Sequence, residues 1–66
     1  MQITVNGTPT DIPNDLSMAG LIKQLDLTGK RLAVEVNREL VPRSQFDSHQ
    51  LTADDRVEII HAVGGG

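Results

Sequence analysis

The chain has 66 residues, a formal net charge of −3, no cysteine and a single aromatic residue. This length allows one small domain, and the excess of acidic residues together with the lack of aromatic side chains argues against nucleic-acid binding. Without cysteine, the chain can form neither a disulfide framework nor a persulfide or thioester on its own side chains. It has no apolar run of membrane-spanning length and no signal-peptide pattern, so we expect a cytoplasmic protein without membrane contact.

Two strands joined by a tight turn are predicted first. Apolar and polar residues alternate over residues 1–5, as in a half-buried strand. Asn6-Gly7 is a strong signal for a two-residue hairpin turn, after which residues 8–12 return as a second strand. Pro9 places this second strand at a sheet edge, because proline cannot donate to a strand ladder.

A helix is predicted next. Ser17 is a suitable N-cap residue, and the apolar residues that follow share one helical face: Met18, Leu21, Ile22 and Leu25. Thr28-Gly29 is predicted to end the helix.

The second half of the chain predicts three further strands. The first has Leu32, Val34 and Val36 facing inward and ends at an Asn37-Arg38 turn, and a short strand follows at residues 40–41. An irregular stretch is then expected to be anchored on the core by Phe46 and Leu51. Asp54-Asp55 is interpreted as a turn, and residues 56–63 as the last strand.

This order of elements predicts an α+β domain in two layers, with one main helix on one face of a mixed sheet of about four to five strands. A long crossover into a parallel last strand is compatible with that arrangement. A β-grasp (ubiquitin-like) fold satisfies all of these features, although periodicity alone also allows other α+β folds. We assign residues 1–63 to this domain and residues 64–66 to a flexible glycine tail.

The tail is the most informative segment. A β-branched strand runs directly into Gly64, Gly65 and Gly66. Glycines combine an extended reach of about 3.3 Å per residue with minimal bulk, which suits a carboxylate that must enter a narrow active site on another protein. Glycines alone are equally consistent with a loose chain end.

A family resemblance favours the first interpretation. Residues 1–7 (MQITVNG), 33–37 (AVEVN), 40–43 (LVPR) and 63–66 (VGGG) resemble the ThiS family, the sulfur carriers of thiamine thiazole synthesis. The resemblance covers essentially the whole chain. A terminal Gly-Gly by itself is a weak motif, but at the end of so short a chain with these internal segments it is fairly specific.

The resemblance implies a specific chemistry at Gly66. An adenylating enzyme of the ubiquitin-activating type would use ATP to adenylate its carboxylate, and a persulfide donor would convert it to a thiocarboxylate for thiazole synthase. The carrier itself would be neither an enzyme nor a cofactor-binding protein, which agrees with the absence of a defensible nucleophile–base arrangement or phosphate-binding loop in the sequence.

A fold does not fix a function, so three other functions remain compatible with the predicted fold. The first is a sulfur carrier of another pathway, of the type of the small subunit of molybdopterin synthase. The second is a ubiquitin-like modifier whose terminal glycine becomes amide-linked to lysines. The third is an adaptor with an inert tail.

A docking surface is predicted on the last strand. If Val57 and Ile59 face the core, Ile60 and Ala62 face away from the helix. Together with Val63, these two residues are candidates for partner docking, although isolated apolar residues on a surface are also common.

The remaining polar residues are given structural interpretations. His61 is predicted to be a surface strand residue and His49 to be solvated, and two histidines without a cysteine cluster predict no metal site. Asp54, Asp55 and Glu58 are interpreted as solvated residues, with charge contacts to a partner as the alternative.

Overall fold

The computed structural model describes residues 1–61, which form a mixed five-stranded sheet with one helix packed on one face. The strands are β1 (Gln2–Val5), β2 (Thr8–Asp11), β3 (Leu32–Val36), β4 (Glu39–Leu40) and β5 (Arg56–His61); the helix is α1 (Met18–Gln24), and a 3₁₀ turn covers Arg43–Gln45. The strand order in the sheet is β2-β1-β5-β3-β4. The predicted α+β architecture is therefore confirmed.

The hairpin between β1 and β2 forms as predicted. Asn6 and Gly7 have φ values of 49° and 82°, and the antiparallel register continues directly from the pair Val5 and Thr8. Positive φ at both central residues is the geometry that an Asn-Gly turn favours. Pro9 lies in β2, which is an edge strand of the sheet.

The start of α1 also agrees with the sequence. The Oγ atom of Ser17 accepts a hydrogen bond from the backbone N–H of Gly20 at 3.1 Å, which satisfies one of the free N–H groups of the first turn. Met18, Leu21 and Ile22 are buried against the sheet.

The end of α1 differs from the prediction. The helix ends at Gln24 rather than at Thr28-Gly29, because Asp26 adopts a left-handed conformation with φ of 61°. The Asp26 N–H donates to the carbonyl of Lys23, and the Leu27 N–H donates to the carbonyl of Ile22. This pair of bonds is a Schellman motif with an aspartate at the position that glycine usually occupies.

One aliphatic core lies between α1 and the inner face of the sheet. Its buried members are Ile3, Ile12, Met18, Leu21, Ile22, Val34, Val36, Val41, Leu51, Val57 and Ile59. Phe46 packs against this core while partly exposed, so both predicted anchors of the irregular stretch, Phe46 and Leu51, are confirmed. No helix within residues 1–61 is long and apolar enough to cross a membrane.

Candidate functional site: the central strand and the open face of the sheet

The candidate site is built around β5, which lies at the centre of the sheet. β5 pairs in parallel with β1 and antiparallel with β3. Its last residue, His61, is also the last residue described. The predicted modification site Gly66, the tail residues Gly64 and Gly65, and the predicted docking residues Ala62 and Val63 lie outside the described residues.

The side chain of Asn6 holds the middle of β5. Its Nδ2 donates to the carbonyl of Ile59 at 3.2 Å, and its Oδ1 accepts from the Ile59 N–H at 2.8 Å. The backbone N–H of Asn6 also donates to the carbonyl of Val57 at 2.9 Å. The amide group thus continues the hydrogen bonding of β1 along β5 after the chain has turned away at Gly7.

A second polar cluster holds the beginning of β5. The Asp55 carboxylate accepts from Nδ2 of Asn37 at 3.0 Å, from the Thr52 N–H at 2.8 Å and from the Thr52 hydroxyl at 2.9 Å. Oδ1 of Asn37 in turn accepts from the Arg56 N–H at 3.0 Å. Asp55 is only 7% exposed, so the prediction of a solvated Asp55 is wrong. Its carboxylate replaces water with these donors and closes the turn before β5.

The alternation of β5 agrees with the predicted register. Val57 and Ile59 are 1% and 6% exposed, whereas Ile60 is 56% exposed on the face opposite α1. Glu58, also on this outer face, is exposed as expected. The orientation of Ile60 is therefore confirmed, and its role in docking stays a prediction.

Leu40 is a second large apolar residue on the same face, and the sequence analysis did not assign it to a surface. It is 67% exposed and lies opposite Glu35 in the pairing of β3 with β4. On β3, exposed Ala33 lies directly opposite Ile60. Leu40 could have been identified from the alternation of side chains along a strand. Val41 is buried at 5% exposure, so the side chain of its neighbour Leu40 faces the other side of the sheet.

Two carboxylates lie between these apolar residues. Glu35 of β3 is directly opposite Glu58 of β5, and both alternate with residues that face the core. Side chains opposite each other in an antiparallel pair have Cβ atoms about 4.5–5.5 Å apart. Neither carboxylate takes part in the side-chain hydrogen bonds found among residues 1–61.

The two histidines do not form a site. His61 is exposed and pairs with Leu32, as a surface strand residue. His49 is half-buried rather than fully solvated, and its carbonyl accepts from the Met18 N–H at 2.9 Å. Among residues 1–61, no three His, Cys, Asp or Glu side chains are grouped so that they could hold a metal ion.

A shallow cleft of about 270 Å³ lies near the end of β5, between the segment after α1 and the 3₁₀ turn. The cleft is lined by apolar side chains and by a few charged ones. The apolar residues are Ala19, Ile22, Leu27, Leu32 and Phe46, and the charged residues are Lys30, Arg43 and Asp47. Leu32 also pairs with His61, so the cleft and the end of the described chain lie at the same end of the molecule.

The sheet order, the one helix that residues 1–61 place on one face and the central position of β5 define a β-grasp protein. The sequence model of the ThiS family matches residues 3–66 of this chain. The chain belongs to the ThiS family, as its internal segments indicated.

Three known proteins illustrate the relationship. The crystal structure of the thiamine biosynthesis protein ThiS from Geobacter metallireducens superposes with a TM-score of 0.86 and 32% identity, covering 100% of both chains. The sulfur carrier protein ThiS of Escherichia coli is 27% identical, also over 100% of both chains. A thiazole synthase of Magnetococcus marinus is 33% identical over 100% of this chain, which spans 20% of that protein.

Proposed function

We propose that the protein is a sulfur carrier of thiamine thiazole biosynthesis and that the carboxylate of Gly66 carries the sulfur. The observation that supports this most directly is the family match, which runs through the glycine tail to residue 66. The family relationship also favours this function over the carrier of another pathway and over a protein modifier.

The described structure suits such a carrier because it makes β5 a well-fixed base for the tail. Asn6 binds the backbone of Ile59 with two hydrogen bonds, and the cluster around Asp55 fixes the strand's first residue. Positioning within about 1 Å is worth orders of magnitude in rate when two reacting groups must meet. A tail of glycines can enter a narrow site, while the body of the protein sets where the tail starts.

The proposed chemistry is supplied by partners. An oxygen of the Gly66 carboxylate attacks the α-phosphorus of ATP, and the β- and γ-phosphates leave as pyrophosphate. The terminal sulfur of a donor persulfide then attacks the acyl carbon and AMP leaves. The product is an acyl disulfide that keeps the S–S bond of the persulfide. A thiol next attacks the donor's sulfur and cleaves this S–S bond, becoming disulfide-linked to the donor and leaving a thiocarboxylate on Gly66. Apart from this carboxylate, the carrier needs no nucleophilic side chain, base or bound cofactor for these steps, and it acts as a protein co-substrate rather than an enzyme.

Thiazole synthase is the proposed acceptor of the sulfur. In the Magnetococcus marinus thiazole synthase, a region similar to this chain accounts for about a fifth of the protein. Joining a carrier to its acceptor on one chain raises their effective concentration, and this supports the same pairing between separate chains here.

The test is intact mass spectrometry of the carrier after incubation with the adenylating enzyme, ATP and a persulfide donor. The proposal predicts a mass increase equal to the replacement of one oxygen by sulfur, which requires ATP and is localised to the C-terminal peptide. The same measurement on carrier isolated from its native cell identifies the biological terminus. Recovery of lysine conjugates would instead support a protein modifier, and an unchanged acid under all conditions would contradict the carrier assignment.

A further inference from the structure

We propose that Asn6 is a site of spontaneous deamidation, and that the fold slows this reaction as long as the first hairpin stays bound to β5. Asn6 is followed by Gly7, which has no Cβ to hinder its own backbone nitrogen. Both residues are exposed, and apart from chain neighbours no atom lies within 4 Å of the position that a Cβ on Gly7 would occupy. Water and base from the solvent therefore reach this peptide bond. Because the reaction needs no partner protein, it is independent of the proposed function.

The reaction has two steps. The backbone nitrogen of Gly7 gives its proton to a base from the solvent and attacks Cγ of Asn6. The bond between Cγ and Nδ2 breaks, Nδ2 takes up a proton and leaves as ammonia, and a five-membered succinimide ring remains. A water molecule then opens the ring at one of its two carbonyl carbons. Opening at Cγ gives aspartate, whereas opening at the backbone carbonyl carbon gives isoaspartate, whose main chain runs through Cβ and Cγ. One water is consumed and one ammonia is released, without any change of oxidation state.

The backbone conformation of Asn6 opposes the first step. Ring closure requires the Gly7 nitrogen and Cβ of Asn6 to lie on the same side of the bond between Cα and the carbonyl carbon of Asn6. Asn6 has a φ of 49°, in the left-handed region, where ψ is about +30 to +60°. Such a ψ places the nitrogen and Cβ on opposite sides of that bond, so the nitrogen cannot reach Cγ.

The contact with β5 opposes the first step a second time. Nδ2 of Asn6 donates to the carbonyl of Ile59 at 3.2 Å, and Oδ1 accepts from the Ile59 N–H at 2.8 Å. The Asn6 N–H is itself bound to the carbonyl of Val57 at 2.9 Å. Deamidation therefore requires a local opening in which the side-chain amide leaves β5 and the turn unwinds. Such an opening has its own free energy, which limits the reaction rate in the folded protein.

The products cannot restore the contact. In the aspartate product an oxygen replaces Nδ2, so the carbonyl of Ile59 faces a carboxylate oxygen instead of a donor. In the isoaspartate product one more carbon enters the main chain between Val5 and Thr8, which disrupts the two-residue turn that sets their pairing. Each reaction is irreversible, so the deamidated chain holds β5 less firmly from then on.

The test follows deamidation of the wild-type chain at mildly alkaline pH, with and without denaturing urea. Lys23 is the first tryptic cleavage site, so one peptide contains both Asn6 and Asn14, and its fragmentation gives both rates. Asn14 is the internal control, because it is exposed, has no side-chain hydrogen bond among the described residues and is followed by Asp15 rather than glycine.

The two rates should respond differently to folding. In urea, Asn6 should deamidate faster than Asn14, because glycine follows it. In the folded protein the rate at Asn6 should be at least about tenfold lower than in urea, whereas the rate at Asn14 should fall less than about threefold.

The consequence is measured on the product. Chain deamidated in urea is refolded and separated by anion exchange, since it carries one more negative charge. Its Tm by circular dichroism should be about 4–8 °C below that of the unreacted chain. Asn6→Asp shows the effect of the aspartate product alone and should also lower Tm. Asn14→Asp adds the same charge away from β5 and should change Tm by less than about 3 °C.

Protection of Asn6 in the folded chain, together with a less stable product, would support the proposal. Equal rates at Asn6 in the folded and unfolded chains would overturn it. A rate in urea no faster than that of Asn14, or a product as stable as the unreacted chain, would overturn it as well. None of these measurements uses the adenylating enzyme, ATP or a sulfur donor, so a carrier that never gains sulfur contradicts the proposed function alone.

Discussion

The amide side chain of Asn6 forms a two-bond contact with the backbone of Ile59, 53 residues further along the chain. This contact joins the first hairpin to the central strand at a level that β1 no longer reaches. Asn6 also has a φ of 49°, so the same residue supplies the left-handed turn and the contact. Few residue types can do both, since asparagine is one of the few non-glycine residues that adopt this conformation readily.

Replacing Asn6 should therefore destabilise the protein in two separable ways. Asn6→Gly keeps the turn conformation and removes the two hydrogen bonds, with an expected loss of about 1–3 kcal/mol in the free energy of unfolding. Asn6→Ala removes the bonds and also forces alanine into a left-handed conformation, which should cost about 1–2 kcal/mol more. Urea denaturation of both variants measures the two terms.

Asn14→Ala is the control for these variants, because Asn14 is exposed and has no side-chain hydrogen bond among the described residues. Its effect should stay within about 0.5 kcal/mol. Equal stability of Asn6→Gly and the wild type would show that the contact with Ile59 does not stabilise the fold.

Replacing the buried carboxylate of Asp55 should strongly destabilise the protein, although the sequence at this position resembles an ordinary turn. Asp55→Ala leaves donors of Asn37 and Thr52 without a partner and should cost about 2–4 kcal/mol. Asp55→Asn keeps one acceptor oxygen and should cost less. Asp54→Asn is the matched control, because Asp54 is exposed and asparagine tolerates its φ of 68°. Thermal unfolding that ranks Asp54→Asn as the most damaging change would contradict this account.

Local signals in the sequence were sufficient for the elements whose cause is local. The Asn6-Gly7 hairpin, the Ser17 cap and the alternation of Val57, Ile59 and Ile60 each depend on residues a few positions apart, and all three agree with the structure. The predicted end of α1 was wrong because Asp26 takes the left-handed conformation that glycine usually takes at the end of a helix. The use of aspartate at this position leaves no signal in the hydrophobic periodicity.

Features that depend on distant pairing could not be predicted in this way. The opposition of Glu35 and Glu58 requires knowing that β5 lies beside β3 and in which register, and a shift of β5 by one residue would place Glu58 on the other face of the sheet. The burial of Asp55 likewise depends on Asn37, which is distant in sequence. The candidate docking face was therefore found in part from the sequence, through Ile60, and completed by the structure.

Ile60→Asp should leave the protein folded and weaken its binding to the adenylating enzyme or to thiazole synthase. Ile60 is 56% exposed, so a charge there remains hydrated. The matched variant is Ile59→Asp, at a side chain that is 6% exposed, which should unfold the protein because the charge would be buried. Circular dichroism reports folding, and calorimetry with each partner reports docking.

Ile60→Thr adds a milder control, since it keeps the β-branched shape that strands favour and removes apolar surface. It should weaken docking less than Ile60→Asp at nearly unchanged stability. If Ile60→Asp unfolds the protein while Ile59→Asp does not, the assigned register of β5 is wrong.

The length of the chain after β5 should control sulfur loading, provided that Gly66 carries the reacting carboxylate. One alanine added after Gly66 moves the carboxylate by about 3.3 Å and places a methyl group where only hydrogen was. Deleting Gly66 shortens the reach by the same amount. Because a misplacement near 1 Å can reduce the rate about a hundredfold, both variants should lose nearly all loading in the mass assay.

Gly64→Ala, which adds a methyl group without changing the length, should load far better than either length variant. Binding to the adenylating enzyme and thermal stability should stay close to wild type in all three, since the described residues are unchanged. An inert tail predicts that neither the wild type nor any variant gains sulfur, and normal loading of both length variants would contradict the requirement for a carboxylate at the position of Gly66.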